Sequence, residues 1–127
     1  RFPGERNFST AIYFLLRSQD RSLFHRIKSD ELWDFYAGSS LSIYVLNDRN
    51  LDIHRLGPDP EKGESLQLVI PANCWFGATV NEPNSYTLAG CTVAPGFDFR
   101  DFEFADRITL LNEFPKEKSI IEKLTKE

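Results

Sequence analysis

H-R-I-K-S-D-E-L-W-D-F-Y-A-G, residues 25–38, decides how this chain is read. From Glu31 onward it alternates, with Glu31, Trp33 and Phe35 on one side and Leu32, Asp34 and Tyr36 on the other, the two-residue period of a β-strand. If Glu31 points inward, Trp33 and Phe35 must do so as well. Lys28, Ser29 and Asp30 form a short polar turn before this strand, so residues 22–27 make the preceding strand and carry His25 into the sheet. Gly38, followed by Ser39 and Ser40, ends the stretch, where a residue without Cβ can take a turn conformation closed to others.

Upstream, residues 9–17, S-T-A-I-Y-F-L-L-R, form a strand with two apolar sets: Ala11, Tyr13 and Leu15, and Ile12, Phe14 and Leu16. A strand apolar on both faces must be covered on both. The expectation is that Ile12, Phe14 and Leu16 lie outside the sheet, covered by a second copy of the chain in a homodimer.

Downstream, residues 41–47 and 51–56 read as strands joined through Asn47, Asp48, Arg49 and Asn50, a loop of turn formers. His54, near the end of the second, is read as a surface residue. G-P-D-P-E-K-G at 57–63 is an exposed loop. Residues 66–70, 74–79 and 85–93 are three further strands, separated by the Pro71-Ala72-Asn73 turn and a hairpin at 81–84. About eight short strands at regular spacing argue for an all-β sandwich or barrel, and suit a jelly roll.

F-D-F-R-D-F-E-F at 97–104 is expected as a closing strand, with Phe97, Phe99, Phe102 and Phe104 filling the barrel mouth. The period then changes. Asp106 is placed to cap a short helix carrying Leu110, Leu111 and Phe114, Pro115 stops it or opens the next, and Ile120, Ile121 and Leu124 mark a terminal amphipathic helix. The expected organisation is a single domain over 1–127, with a barrel at 9–104 and a helical tail at 106–127.

Composition agrees with one globular domain: 127 residues, 41% hydrophobic and 27% charged. Fifteen basic against nineteen acidic residues give a net charge of −4, with the basic residues scattered, so neither nucleic acid nor membrane is an expected partner. No apolar run of about 18 residues and no signal-peptide pattern is visible, and a cytoplasmic location is the expectation. The chain starts at Arg1 and contains no methionine, so the natural N-terminus is expected upstream. Cys74 and Cys91 lie in apolar strands without C-x-x-C spacing and are expected as buried free thiols.

With these residues in view, the chain resembles the cupin superfamily, and within it a family catalogued mainly as a domain of unknown function. The likeness is carried by S-T-A-I-Y-F-L-L at 9–16, residues 25–38, I-P-A-N-C-W-F at 70–76, G-C-T-V-A-P-G-F-D-F at 90–99, and the leucine, F-P, isoleucine, L-T rhythm of the tail. It implies a double-stranded β-helix, usually a homodimer, with a pocket inside the barrel. Such relatives also tend to carry a longer N-terminal segment before the first of these motifs. The first cupin pattern runs His-x-His, three or four residues, Glu, six residues, Gly; His25, Glu31 and Gly38 fit, and Ile27 stands at the second histidine. In the second pattern Pro71 fits, Asn73 replaces a glycine and Phe76 stands at the last histidine. Of four metal ligands only His25 and Glu31 remain, too few to hold a transition metal tightly, so neither metal nor other cofactor is expected.

Three functions follow from this. The first is a binding module in which His25, Glu31, Trp33, Phe35 and Phe76 line an aromatic pocket for a small polar or sugar-like molecule. The second is a metal-independent epimerase or isomerase, by similarity to jelly-roll sugar-nucleotide epimerases that use a histidine base and a tyrosine acid. His25 would be the base, Tyr13 or Tyr86 the acid, and Glu31 would pair with His25 and fix its tautomer. The third is a structural dimer with a vestigial pocket.

Overall fold

In the computed structural model, which describes residues 5–48 and 50–126, the alternation of residues 31–35 sets the interior. Strand β3 (Asp30–Gly38) pairs antiparallel with β8 (Tyr86–Ala94), placing Glu31 opposite Val93, Trp33 opposite Cys91 and Phe35 opposite Ala89. Gly38 ends β3 at φ 91°, the left-handed conformation its position calls for. Strands β1 (Thr10–Arg17) and β6 (Gln67–Ile70) complete this sheet in the order β1-β8-β3-β6. The second sheet is β5-β4-β7-β2-β9, built from β2 (Arg21–Arg26), β4 (Leu41–Asn47), β5 (Asn50–Leu56), β7 (Trp75–Val80) and the two-residue β9 (Glu103–Phe104). Two antiparallel sheets of such strands are the jelly-roll barrel expected. Arg49 of the β4–β5 turn and both extremes of the 1–127 span lie outside the described residues.

Between the sheets, Leu16, Trp33, Ile43, Val45, Ile70 and Phe76 form the main core. A second core lies on the opposite face of the second sheet, where Phe24, Leu46, Leu110, Phe114, Ile121 and Leu124 pack together. The tail builds it. Asp106 caps helix α1 (Arg107–Glu113) by accepting from the Thr109 backbone N–H at 3.0 Å, Pro115 opens a 3₁₀ turn, and helix α2 (Lys118–Lys123) follows. Trp75 joins this core with the Arg26 guanidinium 4.1 Å above its ring.

Two expectations change. Pairing with β8 sets Ile12 opposite Cys91 and Phe14 opposite Ala89, so Ile12, Phe14 and Leu16 face inward, with Phe14 edge-on to Trp33 at 5.2 Å. Ala11, Tyr13 and Leu15 take the outer face, where Tyr13 is 79% and Leu15 60% exposed. The two-residue period separates the sets and is silent about which one faces in. The phenylalanine-rich stretch is likewise not one closing strand: Phe99–Asp101 is a 3₁₀ turn, and only Glu103 and Phe104 pair with β2. Both cysteines are buried and free.

Candidate functional site

A cavity of about 600 Å³ lies between the sheets, walled by β1, β2, β3 and β8 and rimmed by Phe97, Phe99 and Phe102. His25 and Ser22 both face it, although three residues apart, because a register shift in β2 separates the Ser22–Ala78 pair from the His25–Phe76 pair. Gly77 permits the irregularity: a Cβ there would meet the Ser22 carbonyl oxygen at 2.7 Å.

The His25 ring stacks on Phe102 at 5.2 Å and 21° and lies tilted against Phe76 at 4.3 Å. Its Nδ1–H donates to the Leu23 carbonyl at 2.7 Å, which leaves Nε2 as an acceptor in the neutral ring. Burial lowers the pKa of His25, and the Leu23 hydrogen bond opposes that shift.

Glu31 faces the same cavity. Burial pushes its pKa up to about 7, while the neighbouring Cys91 thiol and Trp33 indole favour the carboxylate and hold the rise back. The buried Trp33 Nε1–H nonetheless closes no hydrogen bond, so its pull on Glu31 is a weak one. Burial, with the Glu31 charge next in effect, pushes the Cys91 thiol up and keeps it protonated.

The rim is anchored from the N-terminal side. Arg6 pairs with Asp101 in a buried ion pair and donates to the Gly96 carbonyl at 3.0 Å. The Gly96 N–H donates to the Asn7 carbonyl at 2.8 Å, and the Phe97 N–H to Thr10 Oγ1 at 2.9 Å. Sequence reasoning missed this clamp; its trace was the acid interleaved with phenylalanine at Asp101 and a lone arginine at Arg6.

Of the expected site residues, His25, Glu31 and Trp33 line the cavity. Phe76 is buried behind His25, and Phe35 packs into the main core without reaching the cavity wall. Tyr13 is a correction, since it lies on the outer face of β1. Tyr86 also lies off the cavity wall, opposite Arg17 at the start of β8, so neither tyrosine reaches a substrate placed at His25. The expected His25–Glu31 pair is a second correction: no hydrogen bond or ion pair joins them, because Nδ1 of His25 turns to Leu23 and Glu31 turns to Cys91 and Trp33. His54 is exposed, as expected.

The metal of the cupin pattern does not fit these residues. Ile27 presents a hydrocarbon to the cavity and the Phe76 ring packs against His25, so two of the four ligand positions offer no lone pair. Among the described residues no group of three or more His, Cys, Asp or Glu is placed to hold a metal ion.

Comparison with known proteins agrees with the architecture. Residues 1–105 match the family described as Cupin superfamily (DUF985), Cupin_5. A protein of Shewanella oneidensis known from X-ray crystallography shares 40% identity, over 99% of this chain and 80% of that one, with a TM-score of 0.91. A hypothetical protein from Leishmania major shares 31% identity over 96% of this chain and 78% of its own, with a TM-score of 0.90. A dTDP sugar isomerase from Desulfovibrio desulfuricans, at 18% identity over 82% and 68% of the two chains and a TM-score of 0.60, shares the fold alone. No curated protein matches. With its barrel, its truncated histidine pattern and a family match reaching from Arg1 through β9, this chain belongs to the Cupin_5 (DUF985) family of the cupin superfamily.

Proposed function

We propose that this protein binds a small molecule in the barrel cavity, seating the ligand's apolar or C–H face on the aromatic wall and its polar groups at His25 Nε2 and Glu31. The observation that carries this reading is a cavity of about 600 Å³ holding two ionisable groups that leave each other unpaired. Ligand sites of roughly 300–1,000 Å³, mostly apolar with a few convergent polar groups, have this character. A small polar or sugar-like molecule with a stackable face suits it. The epimerase alternative keeps His25 as base and lacks its tyrosine acid, so binding is the reading preferred.

Mass spectrometry of the purified protein under native conditions tests it. A co-purifying small molecule should be released by denaturation, and Glu31→Gln and His25→Ala should each weaken its rebinding. A ligand whose affinity neither substitution alters would move the site elsewhere.

We further propose a homodimer formed through the outer face of the β1-β8-β3-β6 sheet. There Tyr13 and Tyr36 meet edge to face at 5.8 Å beside the exposed Leu15 and Val69. No helix among the described residues is long and apolar enough to cross a membrane.

A further inference from the structure

Among the described residues, Glu31 is the one carboxylate on the cavity wall, and no lysine or arginine lines it. Arg6, behind the rim, is engaged by Asp101 and the Gly96 carbonyl. The other strong polar group, His25, has already committed its N–H to Leu23 and offers the cavity a lone pair. Both groups therefore accept hydrogen bonds when Glu31 is ionised. Around them stand aromatic rings in two sets. Phe14 and Trp33 meet edge to face at 5.2 Å, and Phe97, Phe99 and Phe102 form a trio with centroids 5.0 to 6.4 Å apart.

Such a site sorts ligands by charge. An anion meets the Glu31 carboxylate with no cation to offset the repulsion, in an apolar surround that screens little. A neutral molecule leaves that carboxylate buried without a counter-charge, or requires it protonated. A cation supplies the missing partner and is attracted by the negative faces of the rings. Resting on the binding role given to this cavity, we infer that its ligand is a small organic ammonium ion, the charge set beside Glu31 and the apolar body among the aromatic rings.

The selection depends on pH through one group. Among the described residues, the titratable side chains on the cavity wall are Glu31 on β3, His25 on β2 and Cys91 on β8; β1 contributes none, and the rim's Asp101 is tied to Arg6. Asp30 and Asp34 flank Glu31 on its own strand and lie off the cavity wall. Burial lowers the pKa of His25 and raises that of Cys91, so both stay neutral above pH 7 while Glu31 ionises. For a group titrating near 7 the ionised fraction rises roughly tenfold from about pH 6 to about pH 8.

Isothermal calorimetry with three matched probes, phenethylammonium, 2-phenylethanol and phenylacetate, tests the inference. Phenethylammonium should bind about tenfold more tightly than the alcohol at about pH 8, with phenylacetate the weakest. Its affinity should rise roughly tenfold from about pH 6 to about pH 8, and Glu31→Gln should abolish both the preference and the rise. If the alcohol or the carboxylate binds as well as the ammonium, the charge selection is overturned and the binding role stands. If none of the three binds, both fall. Should Glu31→Gln fail to fold, the pH series on the unaltered protein decides, and a flat affinity for phenethylammonium overturns the inference.

Discussion

Glu31 shows how a single side chain can be placed by its sequence and still be misjudged in its company. Alternation with Trp33 and Phe35 put it on the inner face, which the β3–β8 register bears out. The expected pairing with His25 fails because side-chain direction within a cavity depends on backbone irregularity, here in β2, and no residue pattern announces the bulge. The consequence for stability reverses. A paired carboxylate would stabilise the fold; an unpaired one that binds its proton more tightly when folded stabilises it only while protonated. Stability from this group is thus fully present below pH 4.5 and is lost as pH climbs to about 7. The loss is on the order of 3 kcal/mol at about 1.4 kcal/mol per pKa unit. Denaturant unfolding of the protein and of Glu31→Gln across that range should give curves that diverge, with the variant the more stable above neutrality. The lowered pKa of His25 acts in the opposite sense, since its contribution is present above its unfolded value of 6.5 and lost below, and it cancels in the comparison. Parallel curves would mean that Glu31 is solvated.

Among the elements, the strands and the tail helices were legible because period, turn residues and caps all agree locally: Asp106, Pro115 and the stripe of Ile121 and Leu124 act as their types suggest. Which face of β1 turns inward was not legible, since both of its sets are apolar and only pairing with β8 decides. The rim clamp was invisible for another reason. Arg6 and Asp101 are 95 residues apart, and local propensity carries no information about a contact so distant. Removing one partner of a buried ion pair leaves the other charge buried, at about 3–5 kcal/mol. Asp101→Ala should therefore release the segment 96–102, seen as faster amide hydrogen exchange there, while β4 and β7 keep their protection. It should also weaken any ligand held against Phe97 and Phe102. Unchanged exchange in 96–102 would show that the backbone bonds of Gly96 and Phe97 hold the rim alone.

At the scale of the whole molecule the two sheets are treated unequally. The helical tail covers the outside of one, whereas Tyr13, Leu15, Tyr36 and Val69 stand exposed on the other. In the homodimer proposed above, this apolar face is the association surface. Sedimentation should show a dimer at micromolar concentration, and Leu15→Glu, which sets a charge in the middle of that face, should give a folded monomer. A protein that sediments as a monomer without the substitution would leave the face unexplained. The same layering separates the two tryptophans. Trp33 stands at the cavity, with Phe14 and Phe76 edge-on, and Trp75 lies beneath Arg26 in the core that the tail builds. Each hydrophobic compartment thus contains its own intrinsic fluorophore. Replacing Trp33 by Phe leaves emission that reports only whether the tail is docked, and replacing Trp75 by Phe leaves emission that reports only the cavity. The order in which barrel and tail come apart on heating can therefore be followed optically, without attaching any label.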